Sequence, residues 1–191
     1  MIPSLEAIKA INSQRKNAVV VSTTVSLREW GSVSHRRELD IDLSDCMDKA
    51  PSVGLGVALS RPERKVLVLD CDSTLRTNLG SLVTVGTAAP RNLVHVLFED
   101  NTHISTDGLP IPGLDKINFK ALAEDGGYLK TYQFDNLEDL VISLPEVLEG
   151  DGPTFVSLKV VHGGDMPAYP TRSMEESLKS VKEALEQDPN T

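Results

Sequence analysis

The feature that most constrains this chain is a pair of uninterrupted apolar runs, Val66-Leu-Val-Leu and Leu93-Val-His-Val-Leu, each leading into acidic or amide residues. A strand that alternates apolar and polar residues has one wet face, whereas a strand without alternation must be covered on both. Strands of that kind build parallel sheets, and parallel neighbours require a crossover segment, usually a helix. The remaining periodicities supply those helices. Leu5, Ile8 and Ile11 predict a helix over Ser4 to Gln14 with Ser4 as its cap. Helices are also predicted over Lys49 to Leu59, Leu75 to Ala88, Phe119 to Ala123 and Leu137 to Leu148. In the first of these, Gly54 and Gly56 are read as allowing close packing. Strands are predicted over Ala18 to Ser22, Val66 to Asp70, Leu93 to Phe98, Tyr128 to Phe134 and Phe155 to Val161. A C-terminal helix over 173–187 has an amphipathic body from Ser173 to Leu185 and opens on Ser173-Met-Glu-Glu, a capping-box sequence. With no repeat, low-complexity block or linker, the expectation is one α/β domain over 1–191. It is a three-layer αβα sandwich with a mostly parallel sheet and both terminal helices packed on it.

Composition narrows the function classes. At 191 residues the chain is long enough for one well-buried core. Aromatic residues make up 4%, which argues against base stacking or an aromatic ligand cage as its main business. A formal charge of −9 lacks the basic footprint that nucleic acid or an anionic membrane requires. An anionic ligand would need a metal ion or oriented backbone N–H groups to offset that field. Cys46 and Cys71 have no metal-ligand spacing between them and read as reduced, mostly buried thiols. The N-terminal residues lack the basic-then-apolar order of a signal sequence, and no run is long enough to span a bilayer, so a cytoplasmic location is expected.

Asp72 and Asn101 fall at the carboxyl ends of two strands expected to be neighbours, where open α/β sheets bind ligands. A carboxylate and an amide oxygen brought together there form a hard-oxygen site suited to Mg²⁺ bridging to a phosphate. Taken alone, Asp72 reads first as a helix cap or turn residue and Asn101 as an ordinary turn residue. The longest irregular stretch, Thr102 to Ile117, follows Asn101 directly, and long loops at that edge commonly carry function.

These residues resemble the diphosphate-binding domain of thiamine-diphosphate-dependent enzymes, whose usual pattern is Gly-Asp-Gly followed at a set distance by Asn. Here Cys71-Asp72-Ser73 and Asn101 occupy those places, with 27 residues between Ser73 and Asn101. The likeness extends from residue 18 to 165, through Gly54-Leu-Gly-Val-Ala-Leu-Ser-Arg-Pro-Glu-Arg-Lys, Asn78-Leu-Gly-Ser-Leu-Val-Thr, Pro90-Arg-Asn-Leu and Gly152-Pro-Thr-Phe-Val-Ser-Leu-Lys-Val. Within the family, Thr23-Thr-Val-Ser-Leu-Arg-Glu and Ser105-Thr-Asp-Gly-Leu-Pro resemble segments of the short decarboxylases of sulfopyruvate and phosphonopyruvate. The resemblance implies thiamine diphosphate and Mg²⁺ as cofactors, with the metal held by Asp72, Asn101 and the carbonyl of His103. It further implies cofactor contacts from Thr23, Cys46, Met47, Cys71, Ser73 and Ser105, with Asp107 and Leu109 lining the mouth of the site. The thiazolium would supply the decarboxylation chemistry on a small 2-oxo acid. The glutamate that activates the aminopyrimidine would come from a separate pyrimidine-domain (α) subunit, and the assembly would be a hetero-oligomer or a homo-dimer of diphosphate-binding domains.

The chain also departs from that pattern. Glycines are replaced at Cys71, Ser73, Asp48, Asp107 and Thr24, and each replacement removes conformational freedom or backbone approach near a phosphate. A degenerate, non-catalytic subunit with a structural or regulatory role is therefore the alternative. A remoter one is a haloacid-dehalogenase-like phosphatase, because Asp70-Cys-Asp-Ser-Thr resembles that family's first motif, with Asp70 as nucleophile and Asp72 as general acid. Arg28 is read either as a ligand for a substrate sulfonate or phosphonate or as a surface partner of Glu29 or Asp40. His103 is either a substrate contact or a loop histidine. His35 and His95 are read as structural, and His162 has no evident partner in sequence.

Overall fold

The computed structural model describes residues 1–103, 109–110, 113 and 116–187, with side chains at 102, 103, 109 and 110 left aside. Its elements are β1 (Ile2–Pro3), α1 (Ser4–Gln14), β2 (Val19–Thr23), α2 (Thr24–Val33), β3 (Asp40–Leu43), α3 (Ala50–Ser60), β4 (Val66–Cys71), α4 (Asp72–Leu75), α5 (Gly80–Ala88) and β5 (Leu93–Glu99). They continue as β6 (Thr102–His103), β7 (Leu109–Pro110), α6 (Phe119–Asp125), β8 (Lys130–Phe134), α7 (Leu137–Glu149), β9 (Thr154–Val161) and α8 (Met174–Glu186). Seven strands form one sheet in the order β3-β2-β4-β5-β9, with β8 and β1 both pairing with β9. Every pairing in it is parallel.

Because successive residues of a strand face opposite ways, the continuous apolar runs divide between two cores. Val19, Val21, Val66, Val68, Leu93 and Leu97 pack on one face against Ala50, Leu55 and Ala58 of α3, Leu82 and Val85 of α5, Phe119 of α6 and Leu185 of α8. Val20, Leu67, Leu69, Val94, Val96 and Phe98 pack on the other against Ile8 and Ile11 of α1, Trp30 of α2 and Leu140 and Leu144 of α7. The architecture is the expected three-layer one. Gly54 shows how closely α3 lies on the sheet, since a Cβ there would stand 2.3 Å from Val68 Cγ2. Gly56, read with it, faces open space instead.

Three further expectations need correction. Ser4 is not a cap but the first helical residue, and its hydroxyl donates to Glu29 Oε2 at 2.5 Å. The helix expected over 75–88 is broken: α4 gives way to a 3₁₀ turn at Arg76–Asn78 before α5 begins. Segments α2, β3 and β1 were not anticipated as elements. Strand β3, Asp40-Ile-Asp-Leu, buries both aspartates. Arg15 Nη1 donates to Asp40 Oδ1 at 2.8 Å, Arg37 reaches both carboxylates, and Arg172 Nε donates to Asp42 Oδ2 at 3.2 Å. Helix α8 covers this edge strand, where the Asp42 N–H donates to Ser177 Oγ at 3.1 Å. The Ser173–Glu176 capping box is formed as expected. Among the described residues no helix is long and apolar enough to cross a membrane.

The chain runs from β2 outward to β3, then returns to place β4 on the other side of β2 and proceeds to β5. The carboxyl ends of β2 and β4 therefore flank the point where the winding reverses, which is where such sheets open a crevice.

Candidate functional site

Asp72 follows β4 directly and is 1% exposed. Its Oδ1 accepts the Ser73 N–H at 2.6 Å, while Oδ2 accepts the Asp100 and Asn101 N–H groups at 3.1 and 2.9 Å. One carboxylate thus ties the tip of β4 to the corner after β5. At that corner Asn101 is left-handed, with φ of 59°, a conformation its short polar side chain tolerates. The backbone of His103 then pairs with Leu109 in the antiparallel β6–β7 ladder. Ser105 and Asp107 lie outside the described residues.

The tip of β2 closes the other side. Thr23 is fully buried, its hydroxyl 3.3 Å from the Leu43 carbonyl and 3.1 Å from that of Met47, so it joins β2, the end of β3 and the Cys46–Met47 turn. The Cys71 thiol lies 3.9 Å from the Thr23 carbonyl. Burial pushes that thiol up to about 12, so it stays protonated. The Cys46 sulfur faces Met174 Sδ of α8 at 3.6 Å, and Met47 is 38% exposed. Thr23, Cys71, Asp72, Ser73 and Asn101 are thus gathered around adjoining strand tips, with Met47 contributing backbone and the Cys46 thiol directed to α8. Thr24, opening α2, has φ of 49°, costly for a β-branched residue, and its buried hydroxyl lacks a hydrogen bond of regular geometry beside the Cys71 thiol.

Burial raises the Asp72 carboxyl to about 7, and the Asp100 and Glu99 charges add to it, while the Asn101 and Ser73 N–H groups pull it back. No Lys, Arg or His among the described residues is ion-paired with Asp72. A divalent cation is what would keep such a carboxylate ionised, and three hydrogen bonds leave part of its acceptor capacity, about four lone-pair sites, for a ligand bond. The donor chemistry therefore fits Mg²⁺. Among the described residues no group of three or more His, Cys, Asp or Glu side chains is placed to hold a metal.

Asp70 is unsuited to nucleophilic attack. It is 1% exposed, its Oδ1 accepts from the Cys71 N–H and Thr74 Oγ1, and its Oδ2 lies 3.3 Å from His95 Nε2. His95 Nδ1 in turn meets the Tyr128 hydroxyl at 3.1 Å, which makes this histidine structural as expected. The phosphatase reading is dropped on this ground. Arg28 follows neither of its two readings: it donates to the Pro167 and Met166 carbonyls at 2.5 and 3.2 Å and lies over the Tyr169 ring.

Sequence reasoning missed His162, which has two partners. Its Nδ1 is 3.1 Å from Glu29 Oε1 and its Nε2 is 3.3 Å from Asp100 Oδ2. Burial pulls its pKa down, but the two carboxylates outweigh burial and raise it to about 9. Nothing in the sequence signals this, because Glu29 and His162 are 133 residues apart.

Comparison with known proteins gives the chain as a whole its relatives. The family described as the thiamine pyrophosphate enzyme C-terminal TPP-binding domain matches residues 24–158. Sulfopyruvate decarboxylase subunit beta of Methanothermobacter thermautotrophicus is 37% identical over 191 residues, spanning 97% of this chain and 99% of that protein. Phosphonopyruvate decarboxylase of Streptomyces viridochromogenes is 39% identical over 149 residues, 78% of this chain. This chain spans only 37% of that protein and 36% of its counterpart from Streptomyces hygroscopicus. Among solved structures, the thiamine diphosphate-dependent 4-hydroxybenzoylformate decarboxylase of Rhodococcus jostii superposes with a TM-score of 0.70 over 85% of this chain and 33% of that one. At 19% identity it shows the fold alone.

Proposed function

Because this chain belongs to the thiamine pyrophosphate enzyme family, as its C-terminal TPP-binding domain, we propose that it is the diphosphate- and Mg²⁺-binding subunit of a thiamine-diphosphate-dependent 2-oxo acid decarboxylase. Its substrate is of the sulfopyruvate or phosphonopyruvate type, a 2-oxo acid carrying a second anionic group. The observation that carries the proposal is the Asp72 carboxylate, buried with no paired side-chain cation among the described residues and hydrogen-bonded to the Asn101 N–H at 2.9 Å at adjoining strand tips.

Asp72, Asn101 and the His103 carbonyl would hold the metal, while Ser73 and the Thr23–Thr24 junction of β2 with α2 would face the diphosphate. When bound, the cofactor's thiazolium supplies the carbanion-stabilising chemistry. This chain binds and orients the cofactor's diphosphate arm and keeps the thiol at Cys71 protonated and inert beside it. Asp48, an added charge near an anion, is offset by its ion pair with Lys49. A separate pyrimidine-domain subunit completes the site in a hetero-oligomer, as the subunit-sized relative and the much longer relatives suggest. A cytoplasmic setting is consistent with two free cysteines.

The second reading, a non-catalytic subunit, is favoured by Thr24, whose left-handed backbone carries a side chain where close approach to a phosphate is wanted. Calorimetric titration with thiamine diphosphate and Mg²⁺, with and without the pyrimidine subunit, separates the two. Saturable heat that vanishes in Asp72→Ala supports the enzyme subunit. Silence in both settings leaves the scaffold.

A further inference from the structure

The Thr23–Glu29 segment, singled out by its likeness to decarboxylase sequences, places none of its charged side chains at the metal site. Arg28 is spent on the carbonyls of Met166 and Pro167. Glu29 is 4% exposed and bonded to Ser4 on one oxygen and to His162 on the other. Beyond the imidazole stands Asp100, whose backbone N–H is one of the donors gripping Asp72. Four sheet-edge positions are thus linked in series: α2, the residue after β9, the corner after β5 and the residue after β4.

We propose that His162, held by Glu29, is a positioning residue that fixes the Asp100–Asn101 corner over Asp72 and so shapes the metal-diphosphate site. It rests on the cofactor reading for its consequence, though not for its geometry. An imidazole with Nδ1 3.1 Å from Glu29 Oε1 and Nε2 3.3 Å from Asp100 Oδ2 lies between two carboxylates, an arrangement that favours its doubly protonated, cationic form. Its removal leaves two shielded carboxylates facing one gap, the Asp100 side chain being 14% exposed. Like charges there repel, and the Asp100 side chain loses the cation that ties it to Glu29. The backbone follows, because the Asp100 and Asn101 N–H groups are one peptide apart and Asn101 already occupies a left-handed conformation. Outer partners of this kind orient ligand-bearing residues without touching the metal.

The test uses the full chain with His162→Gln, which keeps one donor without charge, and with Glu29→Gln. Amide hydrogen exchange of Asp100 and Asn101 reports the corner, and the amides of Leu67 and Leu69 in β4 report global opening. Losing one charge-assisted hydrogen bond accelerates exchange at Asp100 and Asn101 by about tenfold with β4 unchanged. Binding of thiamine diphosphate with Mg²⁺ to the assembled enzyme weakens by a similar factor. A lower melting temperature with unaltered exchange at Asp100 and Asn101 overturns the proposal, leaving His162 a plain staple. Faster exchange with unchanged cofactor affinity overturns its link to the site. Absence of binding in the wild type itself sinks the cofactor reading instead, and the exchange result still decides whether His162 holds the corner. Should His162→Gln fail to fold, Glu29→Gln alone carries the same comparison.

Discussion

Replacing Asp72 by Asn should make the cofactor-free chain more stable at pH 8 and incapable of holding the metal. The folded state raises the Asp72 carboxyl from 3.8 to about 7, a gap worth about 4 kcal/mol. The sign follows from proton binding. The folded chain holds this proton more tightly than the unfolded one, so the cost of the buried charge is absent below 3.8. It grows as pH rises and is complete above about 7. With 1% exposure there is little solvent screening to discount. Asparagine removes that cost but presents its NH₂ group to one backbone donor, such as the Ser73 N–H, and loses about 1–2 kcal/mol there. The net gain is about 2–3 kcal/mol at pH 8, or a melting temperature raised by about 5–10 °C in a chain of this size. At pH 4 the advantage disappears and the variant becomes the weaker protein. Thiamine diphosphate with Mg²⁺ reverses the order at pH 8, since ligand at about a thousandfold above Kd stabilises only the wild type, by about 4.1 kcal/mol. Thermal melts of both proteins at pH 4, 6 and 8, with and without cofactor, decide the matter. A variant less stable than wild type at pH 8, or equally shifted at pH 4 and 8, would refute the reasoning.

Four other outcomes are expected. Gly54→Ala drives a methyl to 2.3 Å from Val68 Cγ2 and should lower stability in urea melts by roughly 2–3 kcal/mol. Gly56→Ala meets nothing within 4 Å and should raise it by up to about 1 kcal/mol, so equal effects at the two glycines would count against the packing described. Thr24→Gly relieves the left-handed backbone at φ of 49° and should gain about 1 kcal/mol that Thr24→Val does not. Ser173→Ala removes the capping box of α8 and should cost about 1 kcal/mol, with exchange accelerating first at the start of that helix.

Strands β4, β5 and β9 were legible because both their faces are buried, which writes an apolar run directly into the chain. Strand β3 was not, because Asp40-Ile-Asp-Leu is buried by ion pairs instead. Arg15 lies 25 residues before Asp40, and Arg172 lies 130 residues beyond Asp42. Helix α2 was hidden for a similar reason: Ser26 and Glu29 on its buried side find their partners at Leu69 and His162. The break between α4 and α5 was likewise unreadable, since the apolar spacing from Leu75 to Val85 continues across it.

Sequence alone determined the layered sheet and the placing of a carboxylate and an amide at the ends of two consecutive strands. Both follow from local periodicity and from the fixed direction in which parallel strands run. Only the tertiary structure decided what surrounds them: which oxygen accepts which N–H, that Asp70 is sealed away, and that His162 stands between Glu29 and Asp100. Those contacts join residues up to 133 positions apart. Their energies depend on burial and on the charges the fold brings near, and neither quantity is a property of any short stretch of chain.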